Sequence, residues 1–257
     1  MRIYVTARIN SNSMQQKTLT IIFGTTRGLG AALYEHATQQ VGDCVLVNRK
    51  SVESRRSGDA AVVVDLGQTV TDHDISKIFS AKDLSQYGAI QLIANASITG
   101  PITTIGNTTS QEIAATLLTN AVNYMSIINA FIAKTSSLDV HIRILVVSSG
   151  SAESPTHGLA PYCASKAAIE MFIRSVALEP HDNLEIVAFR PGVMDTDMQQ
   201  ALRNADQKDF ANTDRYKQLY QDGQLRTSES VATTIFKLLD SSKQWTESVV
   251  DINTMHI

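Results

Sequence analysis

Short apolar runs rich in β-branched residues, each followed by a longer amphipathic stretch, constrain this chain more than any other feature. The runs are TLTIIF at 18–23, CVLVN at 44–48, AVVVD at 61–65, IQLIAN at 90–95, RILVVSS at 143–149, EIVAF at 185–189 and SVVDI at 248–252. Most are continuously apolar instead of alternating, as in strands covered on both faces. Helix-like stretches fall between them, over about 28–41, 72–84, 109–135, 161–180 and 229–241. Pro161 marks the start of one stretch and Pro180 the approach to the sixth run. Strands and helices in alternation predict an α/β fold built on a parallel sheet with right-handed crossovers.

A chain of 257 residues suits one large α/β domain or two small ones. With no repeat, linker or composition break, a single domain over 18–257 is the simplest reading. Residues 1–17 read as a polar lead-in: two arginines are present, but the continuous apolar core of a secretory signal is not. Met14 stands as an alternative start. Residues 193–228 break the alternation, being polar and helix-prone directly after Arg190-Pro191-Gly192. An insertion past a strand's carboxyl end predicts a substrate loop or lid.

The formal charge of −3, without a Lys/Arg stripe, argues against a nucleic-acid surface. The one local exception, the basic cluster around Arg49 and Arg56, also reads as a solvated turn. Cys44 and Cys163 lie far apart with no CxxC spacing, which points to a reducing, cytoplasmic setting. The six histidines are scattered without ligand spacing, so no metal is expected. No apolar run approaches the roughly 18 residues of a membrane span, so no membrane partner is expected either.

The first strand leads directly into GTTRGLG, residues 24–30. Gly24 ends the strand, while Gly28 and Gly30 enter the first helix, where side chains would block a pyrophosphate from the backbone N–H groups. The second strand ends in Asn48-Arg49-Lys50. A nicotinamide site for the cofactor without the 2′-phosphate usually carries a carboxylate there, which would repel a phosphate. A guanidinium grips a phosphate instead, through paired hydrogen bonds. Arg27 reaches the same ribose from the glycine loop, so the pair predicts NADPH over NADH; two ordinary surface arginines are the competing reading. Thr25 and Thr26 either bind phosphate or brace the turn.

Tyr162 and Lys166, in YCASK, are four residues apart and share one helix face. A cation beside a phenol favours the phenolate, drawing a pKa near 10 toward neutral. Tyr162 would then exchange a proton with a carbonyl oxygen. Ser149 ends the fifth run, where its hydroxyl would reach the same substrate oxygen. A bare YxxxK also fits an ordinary amphipathic helix; glycine loop, Ser149, Tyr162 and Lys166 in order are a rarer set.

With these residues in place the chain resembles the short-chain dehydrogenase/reductase family over nearly its whole length from about residue 18. The resemblance implies a single-domain, doubly wound Rossmann fold with a seven-stranded parallel sheet of order 3-2-1-4-5-6-7 and helices on both faces. The family's glycine pattern matches Gly24, Gly28 and Gly30, with Thr26 and Leu29 joining the cofactor contacts. Its tetrad maps to Asn120, Ser149, Tyr162 and Lys166. Tyr162 is implied as general acid, and Lys166 as a pKa-lowering cation that also clasps the nicotinamide ribose. Ser149 would polarise the carbonyl, and Asn120 would hold a water in a proton relay.

The adenine contact maps to Asp65 and Leu66. The family's NNAG turn appears as ANAS, keeping Asn95 and Ala96 with Ser97 for glycine, which implies a small shift in turn geometry. Phe23 stands where a Thr often precedes the first glycine. After the Pro191-Gly192 turn, the Val193 backbone and Thr196 side chain would meet the carboxamide.

GTTRGLG, DTDMQ and the closing VVDIN are similar to sepiapterin reductases and bacterial benzil-reductase-like members. Asp251 matches the pterin-anchoring carboxylate of the former, and stands equally well as the end of a strand or a subunit contact. No role is assigned to Asp197. The implied activity is an NADP-dependent oxidoreductase (EC 1.1.1.-), reducing a pterin side-chain ketone or a vicinal diketone. A 3-oxoacyl or hydroxysteroid enzyme, and a non-catalytic NADPH-binding regulator, are the alternatives. The family also implies a homodimer or homotetramer through the fourth and fifth helices. The run NAVNYMSIINAFI at 120–132 is apolar on more than one face, which fits such a contact or core burial alike.

Overall fold

The computed structural model describes residues 17–255, so all but the last residue of the expected lead-in, Met14 included, lies outside the described residues. All seven apolar runs form strands: β1 (Thr18–Phe23), β2 (Gly42–Asn48), β3 (Ala60–Val63), β4 (Ala89–Ala94), β5 (His141–Val147), β6 (Leu184–Arg190) and β7 (Val249–Asp251). They pair in parallel in the order β3-β2-β1-β4-β5-β6-β7, the order the family resemblance implies. The chain builds outward from β1 to β3, then returns to place β4 on the other side of β1. That reversal opens a crevice at the carboxyl ends of β1 and β4, the position where such sheets bind ligands.

The strands are continuously apolar because each face has its own core. Leu19, Ile21 and Phe23 of β1 join Val45, Leu92, Ile144 and Ile186 in a cluster with Phe79, Ile128, Phe131 and Ile169. On the opposite face Ile22, Leu46, Ile93, Leu145 and Phe189 pack on Leu33, Ile235 and Phe236. Successive strand residues point to opposite faces, so both faces must be apolar to be buried.

The helices are α1 (Gly28–Thr38), α2 (Asp72–Ser80), α3 (Ser110–Leu117), α4 (Asn123–Thr135), α5 (Ala160–Val176), α6 (Asp197–Arg203), α7 (Thr213–Gln221) and α8 (Ser228–Leu239). Their starts follow local chemistry. Thr71 with Asp74, and Thr109 with Glu112, form reciprocal capping boxes for α2 and α3. Pro161 lies in the first turn of α5, where its missing N–H costs nothing.

Two stretches differ from the sequence expectation, and a third, 193–228, is helical as its composition suggests. The helix expected over 109–135 is broken by a π-helical turn at Leu118–Val122 between α3 and α4. The helix expected to reach 180 stops at Val176, with Ala177 as its C-cap. Residues 193–228 hold two helices, α6 and α7.

Candidate active site

The loops at the strands' carboxyl ends enclose a cleft of about 1590 Å³, larger than the ~300–1,000 Å³ that holds a drug-sized ligand. Every residue singled out from the sequence as a site residue lines it except Thr25, Asn120 and Lys166, which are buried behind its wall.

At the β1 end, Gly24 takes φ +77°, and a Cβ there would stand 2.8 Å from the Ala96 side chain. At Gly30 a Cβ would fall 1.6 Å from the Gly24 carbonyl oxygen, so helix and loop touch backbone to backbone. Arg27 occupies the N-cap of α1 and makes no side-chain cap. The first N–H groups of α1 therefore face the cleft without a side-chain acceptor, at the positive end of the helix dipole.

Three asparagines hold this end together. The Asn48 carboxamide accepts from the Thr25 N–H at 2.8 Å and donates to Thr25 Oγ1 at 2.9 Å, tying the loop to β2. Of the two readings of Thr25, bracing is the one seen: the residue is buried. Asn95 Nδ2 donates to the carbonyls of Gly24 (3.0 Å) and Phe23 (3.3 Å). Asn123 donates to the Leu66 and Gln68 carbonyls and accepts from the Val70 N–H, fixing the loop that carries Asp65 and Leu66. Sequence reasoning missed Asn123, a second polar residue within the largely apolar run at 120–132.

At the other end, Tyr162 is buried beside Ser149. Lys166 Nζ donates to the Val147 carbonyl at 2.9 Å and lies 5.7 Å from the Tyr162 ring centroid. The expected lowering of the phenol by this cation is not met. Burial pushes Tyr162 up to about 12, with Ser149 pulling it back in part. Burial also brings Lys166 down to about 8, opposed by Glu170. Desolvation is the largest cause for both groups and disfavours both charged forms.

Asn120 sits in the π-helical turn, a distortion that is frequent at functional sites. Its Nδ2 donates to the Ile98 carbonyl (2.8 Å) and to Ser165 Oγ (3.0 Å), and its Oδ1 accepts from the Ile98 N–H (2.9 Å). Ser165 Oγ in turn donates to the Tyr162 carbonyl at 2.7 Å. The Asn120 side chain thus braces the turn of α5 that carries Tyr162 and Lys166.

Sequence reasoning also missed the ion pair beneath Lys166. Arg190 donates to both Glu170 oxygens at 2.8 Å, and Ser148 Oγ donates to Glu170 at 2.7 Å. This anchors the strand end from which the Pro191-Gly192 turn departs. Thr196 caps α6 by accepting from the Gln199 N–H. Arg27 Nη1 reaches Asp197 Oδ2 at 2.7 Å, joining the glycine loop to α6. Asp251 Oδ1 accepts from both the backbone and side-chain N–H groups of Asn253 at 2.8 Å, while Arg226 donates to Asn253 Oδ1 at 3.0 Å.

The cleft thus pairs an anion-seeking helix terminus with a hydroxyl, a phenol and a buried lysine at its far end. Comparison with known proteins gives the family. The chain is 30% identical over 234 residues to a benzil reductase ((S)-benzoin forming) of Bacillus cereus, covering 87% of this chain and 94% of that protein. It is 27% identical over 241 residues to the sepiapterin reductase of Mus musculus, covering 85% and 90%. The structure of the KRED1-Pglu enzyme superposes with a TM-score of 0.79 at 22% identity, over 91% of this chain and all of that one. The family model described as short chain dehydrogenase matches residues 18–207. The protein belongs to the short-chain dehydrogenase family, and is an oxidoreductase of the kind that binds a nicotinamide cofactor.

Proposed function

We propose that this protein is an NADPH-dependent carbonyl reductase that reduces a ketone, with a vicinal diketone as the first substrate class and Tyr162 as proton donor. The observation that carries the reading is the meeting of Ser149 and Tyr162 on one cleft wall with Lys166 directly behind them. The cofactor fits the residues present: a Cβ at Gly24 or Gly30 would close the cradle, and the N-terminus of α1 carries no side-chain cap.

Gly24, Thr26, Gly28, Leu29 and Gly30 would hold the pyrophosphate. Arg27 and Arg49 would hold the 2′-phosphate, with Asn48 tying their two loops together. Asp65, Leu66, Asn95 and Ala96 would flank the adenosine half, and Pro191, Gly192, Val193 and Thr196 the nicotinamide. When bound, the reduced nicotinamide supplies the hydride. A phenol pushed up to about 12 keeps its proton at neutral pH, so Tyr162 is held as an acid. Ser149 would hydrogen-bond the substrate oxygen and orient it toward the phenol. Lys166 would clasp the cofactor ribose, and Asn120 would keep the helix turn in place. Orientation of this kind supplies much of the rate where both reactants are bound.

Residues 193–228 serve as the substrate lid in this reading. Leu202 and Phe210 of that segment pack with Tyr162 and Leu159, and Tyr216 lies against them. A pterin held through its amino and ring N–H groups together would use both oxygens of Asp251. One of them is taken by Asn253, which favours the diketone. Apolar exposure at Val122, beside α4, and Met171 of α5 supports a homodimer or homotetramer through these helices. Two free thiols, Cys44 and Cys163, suit the cytoplasm.

The test follows NADPH absorbance with benzil, sepiapterin and an acetoacetyl thioester side by side. Oxidation fastest with benzil is the expected result. Preference for the thioester would replace the substrate class, and no oxidation with any of the three would overturn the catalytic reading.

A further inference from the structure

We infer that Asp197 sets the cofactor preference of this site by competing with the 2′-phosphate for Arg27. The inference rests on the reading of Arg27 as a phosphate ligand, and goes beyond it by assigning a residue that weakens the preference.

Arg27 and Asp197 are 170 positions apart in the chain, yet Nη1 and Oδ2 stand 2.7 Å from each other. Both line the cleft. Their loops touch beside this pair, where a Cβ at Gly28 would meet Thr196 Cγ2 at 3.6 Å. Arg49, which also lines the cleft, has no ion-pair partner among the described residues. Of the two guanidinium groups read as phosphate ligands, Arg27 is therefore committed to a carboxylate and Arg49 is not.

The pair is built to exchange. Its side chains are 79% and 67% exposed, so water screens it and separation is easy. A phosphate monoester carries close to two negative charges and three acceptor oxygens, and it outcompetes a single carboxylate for a guanidinium. Once Arg27 turns to phosphate, Asp197 is left as a like charge near that phosphate, which costs further affinity. A cofactor without the 2′-phosphate leaves the pair intact. Asp197 is also the first residue of α6, directly after Thr196. The same exchange therefore releases the start of the 193–228 segment from the glycine loop.

Equilibrium binding of NADPH, NADH and 2′,5′-ADP to the full chain, followed by calorimetry, tests this. Asp197→Asn removes the charge while keeping a helix-compatible side chain at an exposed position. NADPH and 2′,5′-ADP should bind about three- to fivefold more tightly to D197N, the size of one exposed ion pair. NADH should stay within about twofold, and the gain should vanish when Arg27→Gln is already present. Weaker NADPH binding by D197N would overturn the inference, making Asp197 a positioning residue for Arg27. An equal gain for NADH would also overturn it, as a general effect on the cleft. If R27Q and R49D leave the NADPH-to-NADH ratio unchanged, the phosphate reading itself fails. If they lower that ratio while D197N has no effect, only the exchange fails.

Discussion

Tyr162 and Lys166 show how burial reshapes two side chains whose spacing alone suggests a simpler story. Placed four apart on α5, they face one wall, yet each is driven toward its neutral form by the loss of water. Tyr162→Phe keeps the ring packing and removes only the hydroxyl. Turnover should fall by about 10²–10⁴-fold, the usual scale for losing a positioned acid, while calorimetric NADPH affinity stays close to that of the unmodified chain. For Lys166 the consequence is a pH dependence of stability. Its folded value is about 8 against an ordinary 10.5, so between those limits the unfolded chain binds more protons. Stability therefore rises with pH through that window. The rise is cleanest from about 8 to 9, before Cys44, ordinarily 9.0 and here about 12, and then Tyr162, ordinarily 10.0 and here about 12, contribute the opposite slope. Urea unfolding of the unmodified chain and of Lys166→Met across this range should show the slope only in the former, at most about 1.4 kcal/mol per pH unit. A parallel dependence in both proteins would assign the slope to other groups.

At the scale of elements, the glycine loop works because β1, α1 and the β4 end are pressed together at the backbone. Gly30→Ala places a methyl on the Gly24 carbonyl, where no rotamer change relieves it. The start of α1 must move, and NADPH binding should be lost while far-UV circular dichroism still reports a folded sheet; retained affinity would show that the loop has slack. The π-helical turn at Leu118–Val122 acts in the same manner on the opposite side. It carries Asn120, whose side chain is aimed at Ile98 and Ser165. The loop was readable because glycines leave a mark in the sequence. The turn was not, because no residue type distinguishes a π turn from the helix around it.

Across the whole molecule, the last strand and the helix before it are stapled by one buried cation. Arg143 of β5 donates to Glu185 Oε2 at 2.7 Å, to the Leu239 carbonyl at 2.6 Å, to the Ser241 carbonyl and to the Lys243 carbonyl at 3.0 Å. Glu185 accepts the Trp245 N–H at 2.6 Å, and Trp245 lies under the guanidinium at 5.1 Å. This cluster closes the C-terminus of α8 and sets the path to β7, and so to Asp251 on the cleft. Arg143→Ala strands a buried carboxylate and several carbonyls. It should lower unfolding free energy by about 3–5 kcal/mol in denaturant titration. Hydrogen exchange should quicken first over residues 240–255; uniform loss across the sheet would assign Arg143 to the core instead.

The sequence by itself determined the alternation of strands and helices, the parallel sheet and the dinucleotide-type loop. Each of these is written in local chemistry: apolar runs that need cover on both faces, and glycines where no side chain fits. It also brought Ser149, Tyr162 and Lys166 into one short stretch of chain. Only the tertiary structure decided the pairings between distant residues: Asn48 with Thr25, Asn123 with the Leu66 loop, Arg190 with Glu170, and Arg27 with Asp197. Such contacts join residues that lie from 20 to 170 positions apart. Neither composition nor periodicity carries that information, because a polar side chain finds its partner only after the apolar faces have closed the fold around it.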